Sequence, residues 1–63
     1  MMNGAKIYHI RWCLGFTQKK MAKDLGISLY AFQSYENDKK PIPYDIEMKM
    51  EKHLKKFSPW MNL

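Results

Sequence analysis

The residues of this chain whose types and spacing could do chemistry are mainly lysines, and their arrangement indicates anion binding. Lys19, Lys20 and Lys23 lie within one short segment, and two of them fall in the first turn of an expected helix. Cations at that end of a helix oppose the helix macrodipole, at roughly 0.3–1 kcal/mol each when exposed. A phosphate in front of the helix would explain this placement, although Lys23 fits a solvated lysine face equally well.

The overall composition agrees with an anionic partner. The chain has 63 residues, with 11 Lys and Arg against 6 Asp and Glu, which gives a net charge of +5. This charge favours a polyanion as partner but does not identify one. The length predicts a single domain over residues 1–63. No membrane-spanning run and no signal peptide is found, so we expect a cytoplasmic protein without a membrane partner.

Catalysis and metal binding are not expected. No nucleophile, base and orienting group occur in a recognisable arrangement, and no glycine-rich phosphate loop is found. His9 and His53 are far apart in the sequence and have no cysteine or second histidine at ligand spacing. Cys13 is the single cysteine, so an internal disulfide is excluded and a buried thiol is expected. We therefore predict no enzyme activity, no cofactor and no metal.

Two short helices joined by a tight turn are predicted between Thr17 and Asn37. Thr17 and Ser28 can cap the two helices, and Gly26 provides the left-handed residue that ends the first. Ala22 is small enough to lie where the helices cross. Apolar residues at helical spacing would turn toward a core, and these are Met21, Leu25, Ile27, Phe32 and Tyr35.

Further helices are predicted on both sides of this pair. Asn3 can cap a first helix that ends at Gly15, with its buried side formed by Ile7, Ile10, Leu14 and Trp12. A polar loop, NDKKPIP, precedes a fourth helix with Pro43 in its first turn. The apolar stripe of that helix is Ile46, Met50, Leu54 and Phe57. One final helical turn is expected from Ser58.

The central segment has the pattern of a helix-turn-helix, whose second helix enters the major groove of DNA. Over nearly its full length the chain resembles the phage repressor and Cro-like (XRE-type) family of regulators, through RWCLGFTQKKMAKDLGIS, YENDKKPIP and the helix that follows. The resemblance implies an all-α, compact bundle of four to five helices of the lambda-repressor-like DNA-binding type. The helix-turn-helix would be formed by helices 2 and 3, and family members usually dimerise on operator DNA.

The resemblance also implies structural roles for three residues. Arg11 and Glu36 match a pair that forms a salt bridge in the family, and this bridge would hold the recognition helix against the first helix. Gln18 matches a glutamine that touches a DNA phosphate while it braces the recognition helix. Its amide suits both tasks because it can donate and accept hydrogen bonds.

The DNA-facing positions are also implied by the resemblance. The exposed positions of the recognition helix, and hence the expected base contacts, are Ser28, Leu29, Tyr30, Gln33 and Ser34. The expected contacts to the DNA backbone are Thr17, Gln18, Lys19, Asn37, Lys39 and Lys40.

Three residues depart from the family pattern. Leu29 cannot hydrogen-bond a base but can pack on a thymine methyl group. Tyr30 can bond a phosphate or a base edge, or can lie along the groove wall. Asp38 stands where glycine is common, and its charge opposes the phosphates. Direct readout would then depend on few hydrogen bonds, with Gln33 and Ser34 as the best candidates, and DNA shape would contribute.

These observations leave two hypotheses. The first is a sequence-specific regulator of phage or bacterial repressor type that binds double-stranded operator DNA as a homodimer. The alternative is a protein-interaction module of antitoxin or anti-repressor type, with a protein partner and secondary DNA binding. Trp60 can serve a dimer contact or cover its own core equally well. The expected dimer contacts are Phe57, Trp60, Met61 and Leu63.

Overall fold

The computed structural model describes residues 2–57, and over this range the chain forms four helices and no strand. They are α1 (Gly4–Leu14), α2 (Gln18–Leu25), α3 (Leu29–Glu36) and α4 (Tyr44–Phe57). The prediction of a small all-helical bundle is therefore confirmed. The final turn predicted from Ser58 lies outside the described residues.

The first three helices begin and end where the sequence predicts. The side-chain oxygens of Asn3, Thr17 and Ser28 each accept a hydrogen bond from the backbone N–H three residues later, at 2.9–3.1 Å. These bonds satisfy N–H groups that have no partner inside the helix. Gly15 and Gly26 follow α1 and α2 with φ angles of 71° and 72°. Residues that have a Cβ adopt this left-handed backbone conformation only at a cost in conformational energy, which glycine avoids.

The core lies where all four helices meet. α2 packs on α3, α1 packs on both α3 and α4, and α2 also contacts α4. Phe32 of α3 is fully buried at the centre of this arrangement. The other buried apolar residues are Met2, Ile7, Ile10, Met21, Ala22, Leu25, Ile46, Met50 and Leu54. Partly buried residues pack around them, and these are Leu14, Phe16, Ile27, Tyr35 and Ile42.

Two predictions for α1 are wrong. Trp12, placed among the buried residues, is exposed, and Cys13, expected to be a buried thiol, is exposed as well. At 3.6 residues per turn, Trp12 lies on the side of α1 opposite to Ile7 and Ile10, and Cys13 lies on the flank of the buried face. The core therefore covers a narrower stripe of α1 than the apolar composition suggests.

The beginning of α1 lies against the end of α3. The Gly4 backbone N–H donates to Oδ1 of Asp38 at 2.8 Å. A Cβ at Gly4 would collide with the carbonyl oxygen of Glu36, so the backbones approach closely only because this residue has no side chain. Asp38 itself has a φ of 59°, and this left-handed turn directs the following loop back along the bundle.

Candidate nucleic-acid interface

The relative position of α2 and α3 is fixed by a short turn and a small residue. The turn comprises residues 26–28, and the Ile27 backbone N–H donates to the Ala22 carbonyl at 3.0 Å. Ala22 is buried and Ile27 packs against the core. The two helices are therefore packed directly against each other. α3 also packs on α1, and α2 also contacts α4.

A network of side chains fixes the end of α3 to α1. Arg11 Nε donates to Oε2 of Glu36 at 2.9 Å, and Nη2 donates to Oε1 at 3.2 Å. The third contact of the guanidinium is the Phe16 carbonyl, at 3.0 Å from Nη1. The ion pair that the resemblance implies is thus present. The side chains of Arg11 and Glu36 are only 15% and 6% exposed, so their charges largely neutralise each other away from solvent.

Gln18 extends this network to the start of α2. Its Nε2 donates to Oε1 of Glu36 at 2.8 Å, and its Oε1 accepts from Nε2 of Gln33 at 3.2 Å. Both functions of the Gln18 amide are therefore engaged inside the protein. The arrangement places the beginning of α2 beside the middle of α3, and it holds Gln33 by one of its amide hydrogens.

The expected base-contacting residues do not form a uniform polar surface. Ser28, Leu29 and Tyr30 are exposed at the start of α3, and Gln33 is half-buried because it bonds to Gln18. Ser34 is only 4% exposed, so its assignment as an exposed position is wrong.

The loop after α3 explains the burial of Ser34. The Ser34 hydroxyl donates to the Tyr30 carbonyl at 3.0 Å, and its own carbonyl accepts from the Lys39 backbone N–H at 2.8 Å. The hydroxyl is therefore satisfied within α3, and the returning loop passes beside it. Without rearrangement of this loop, Ser34 cannot reach a base edge.

The expected contacts to the DNA backbone lie at the start of α2 and in the loop after α3. Lys19, Asn37, Lys39 and Lys40 are exposed. Thr17 is exposed as well but uses its hydroxyl oxygen to cap α2. Gln18 is half-buried in the network described above.

Two contacts relate the loop and the start of α2 to α3. The Lys40 ammonium lies over the Tyr30 ring, 5.6 Å from its centroid, so the loop adjoins the first turn of α3. The bond between Gln18 and Gln33 joins the start of α2 to the same helix. We call the exposed side chains of Lys19, Leu29, Tyr30, Lys39 and Lys40 the basic–apolar surface.

A polar cluster between α2 and α4 was not predicted. Lys20 Nζ lies 3.3 Å from Oδ2 of Asp24, and Nε2 of His53 lies 3.5 Å from the same oxygen. Desolvation raises the pKa of Asp24, but the hydrogen bonds and charges of Lys20 and His53 outweigh it, and the pKa lies below the ordinary 3.8. The spacing of four between Lys20 and Asp24 was a readable signal. Because Lys20 is engaged here, it is a weaker candidate for phosphate than Lys19.

Lys49 also has a structural contact that its exposed position did not suggest. Its ammonium donates to the Leu25 carbonyl at 3.3 Å, which satisfies a carbonyl at the end of α2. No sequence signal links these residues, since the contact depends on how α4 crosses α2.

Of the four expected dimer contacts, three lie outside the described part of the chain. Trp60, Met61 and Leu63 lie outside it, and Phe57 is described only as the last residue of α4.

The comparisons with known proteins give no relative. No family model, no curated protein and no solved structure matches the chain. Within residues 2–57, no helix has the length and apolar character needed to cross a membrane.

Proposed function

We propose that the chain is a helix-turn-helix regulator of phage or bacterial repressor type, which binds double-stranded DNA with α3 in the major groove. The observation that carries this proposal is the α2–α3 pair, packed together, with exposed lysines at the start of α2 and in the loop after α3. Lys19 stands at the start of α2, and Lys39 and Lys40 follow α3. A recognition helix with lysines on the preceding helix and in the following loop suits a groove that is flanked by two phosphate strands.

The internal network supports the proposal by its electrostatics. Glu36 lies beside the candidate interface, where an exposed carboxylate would repel phosphates. Arg11 neutralises this carboxylate, and both side chains are largely removed from solvent. The positive charge that remains on the surface belongs to exposed lysines, and an excess of such charge increases both affinity and association rate for a polyanion.

We propose further that the regulator acts as a homodimer. A module of this size makes few base contacts, and two copies on a near-palindromic site are the usual means of reaching useful affinity. The expected dimer contacts, which substitution can test, are Phe57, Trp60, Met61 and Leu63.

The test is the salt dependence of binding to duplex DNA, measured for the unmodified chain and for charge-neutralised variants. Lys39→Gln and Lys40→Gln should each weaken binding to all duplexes alike, and each should reduce the slope of log K against log salt by about 0.9. Lys52→Gln, which removes the same charge from an exposed position of α4, is the matched control and should leave the slope nearly unchanged. Equal effects of all three variants would mean that the charge acts only globally, and the docking would be wrong.

Selection from a randomised duplex library tests sequence specificity. Enrichment of two related half-sites separated by about one helical turn is expected for a dimeric regulator. Gln33→Ala should alter the preference among the selected sequences rather than the salt slope.

A protein-interaction module of antitoxin or anti-repressor type is the second candidate. The observation in its favour is the exposure of Leu29 and Tyr30, 39% and 72%, on the surface assigned to DNA. Exposed apolar residues that lie together often mark protein contacts. A folded chain that enriches no sequence and binds DNA without marked salt dependence would favour this candidate.

A further inference from the structure

The first turn of α3 presents unusual chemistry for reading DNA. Of the five residues expected to contact bases, only Ser28, Leu29 and Tyr30 are exposed. Ser28 already accepts a hydrogen bond at its hydroxyl oxygen from the Ala31 N–H at 3.1 Å, so one of its two acceptor positions is occupied by the capping of α3. The remaining accessible surface of this turn is a branched aliphatic side chain and an aromatic ring.

The polar side chains further along α3 are engaged within the protein. Gln33 donates to Gln18, and Gln18 is held in turn by Glu36. Ser34 is buried and bonded to the carbonyl one turn earlier. A base contact from Ser34 would require its buried hydroxyl to be freed, and Gln33 can offer only the second amide hydrogen and the oxygen that its bond to Gln18 leaves, whereas Leu29 has no such constraint.

We infer that this turn recognises the 5-methyl groups of thymine, with Leu29 as the principal specificity-determining residue; the inference rests on the proposed binding of α3 in the major groove. The thymine methyl is the apolar feature that base pairs present in that groove. Leu29 is 39% exposed, so it retains apolar surface that a methyl group can cover, with the gain of any apolar burial.

Tyr30 is placed to support this contact from the phosphate side. The Lys40 ammonium lies over one face of its ring, 5.6 Å from the centroid. A cation in this position is attracted by the ring and restricts its orientation. When Lys40 binds a phosphate, the ring is therefore held between that strand and the base edges, next to Leu29. Sites with thymine beside the first turn of α3 should be preferred for this reason.

The test compares two duplexes that differ only in the methyl group. One is a short duplex of alternating A·T pairs, and the other carries deoxyuridine in place of every thymidine. Titration by fluorescence anisotropy, carried out at low and at physiological salt concentration, gives the two dissociation constants and their dependence on salt. The unmodified chain should bind the uracil duplex about fourfold more weakly for each methyl group contacted, which corresponds to ~0.8 kcal/mol per buried carbon.

A matched pair of variants assigns the effect to Leu29. Leu29→Ala should lose most of the discrimination between the two duplexes. Met48→Ala, which removes a side chain of similar exposure, 37%, from α4, should retain it. The comparison of duplexes with the unmodified chain needs no variant, so poor folding of either variant does not prevent a decision.

The outcomes separate this inference from the proposed function. Equal affinity for both duplexes, with binding that still weakens steeply with salt, overturns thymine-methyl recognition and leaves DNA binding in place. Discrimination that persists unchanged in Leu29→Ala also overturns the inference, because another feature then reads the methyl group. A folded chain that binds neither duplex at low salt overturns both.

Discussion

Removing either partner of the Arg11–Glu36 ion pair should destabilise the fold strongly. Arg11→Met leaves a carboxylate that is 6% exposed without its cation, and Glu36→Met leaves a guanidinium that is 15% exposed without its anion. Loss of one partner from a buried pair costs 3–5 kcal/mol. Because Arg11 retains some contact with water, we expect about 3 kcal/mol for each single variant.

The double variant Arg11→Met, Glu36→Met should be more stable than the sum of the single effects predicts. Replacing both charges by apolar side chains leaves no uncompensated charge, and such replacements are often nearly neutral. Gln18 and the Phe16 carbonyl lose partners in the double variant, which retains part of the cost. With about 3 kcal/mol for each single variant and about 3 kcal/mol retained in the double variant, the expected coupling energy between the two sites is about 3 kcal/mol.

Urea unfolding followed by circular dichroism measures this cycle. A chain of 63 residues has a total stability of roughly 3–9 kcal/mol, so the single variants need a stabilising osmolyte to remain folded at zero urea. The pair formed by Lys20 and Asp24, at 3.3 Å on the exposed side of α2, is the control cycle and should show a much smaller coupling. Additive effects at Arg11 and Glu36, within about 0.5 kcal/mol, would refute the idea that this pair holds α3 in place.

Three other predictions can be tested in solution. Gly4→Ala should lower the free energy of unfolding in urea by about 1–3 kcal/mol, because the new Cβ collides with the Glu36 carbonyl oxygen. An unchanged urea midpoint of unfolding would contradict the close approach of the two backbones. The pKa of Asp24 is lowered in the folded chain, so its stabilising contribution is present above the unfolded pKa near 3.8 and is lost as pH falls through the folded pKa. The stability advantage of the unmodified chain over Asp24→Asn should therefore shrink on acidification, and an advantage that is constant with pH would contradict the assignment. For the proposed dimer, sedimentation of the unmodified chain should show a molecular mass that falls on dilution. Trp60→Ala should have the mass of a monomer at all concentrations. An unmodified chain that is monomeric at all concentrations would refute the dimer.

The parts of the fold that depend on local chemistry could be predicted from the sequence. Asn3, Thr17 and Ser28 were identified as caps because their side chains can accept from the backbone three residues later, and they do so. Gly26 was identified as the end of α2 because the helix needs a left-handed residue there. These features involve residues within one or two turns, so the order of residues alone contains the information.

Two features that depend on how distant segments meet could not be predicted, although the resemblance did imply the Arg11–Glu36 pair. Ser34 is buried beside the return of the loop after α3, where its carbonyl accepts from the Lys39 N–H and Asp38 has a left-handed backbone and accepts from the Gly4 N–H. Nothing near Ser34 in the sequence indicates this return. Trp12 was misplaced for a related reason, because the width of the buried stripe on α1 depends on how closely α3 and α4 pack against it.

The internal use of amides on α3 has a consequence for how such a surface would discriminate among DNA sequences. Gln33 can direct its amide to a base only with its remaining hydrogen and its oxygen, because one hydrogen is bonded to Gln18. This bond reduces the rotamer freedom of Gln33. A base contact that suits the orientation of the bonded amide would therefore cost little side-chain entropy. A base contact that needs another rotamer would break the bond to Gln18. The proposed phosphate contacts from the lysines would be insensitive to sequence. Selectivity among DNA sequences would therefore arise from the oriented amide of Gln33 and the apolar first turn of α3. The loss of affinity caused by a wrong base pair should then differ sharply from one position of the DNA site to the next.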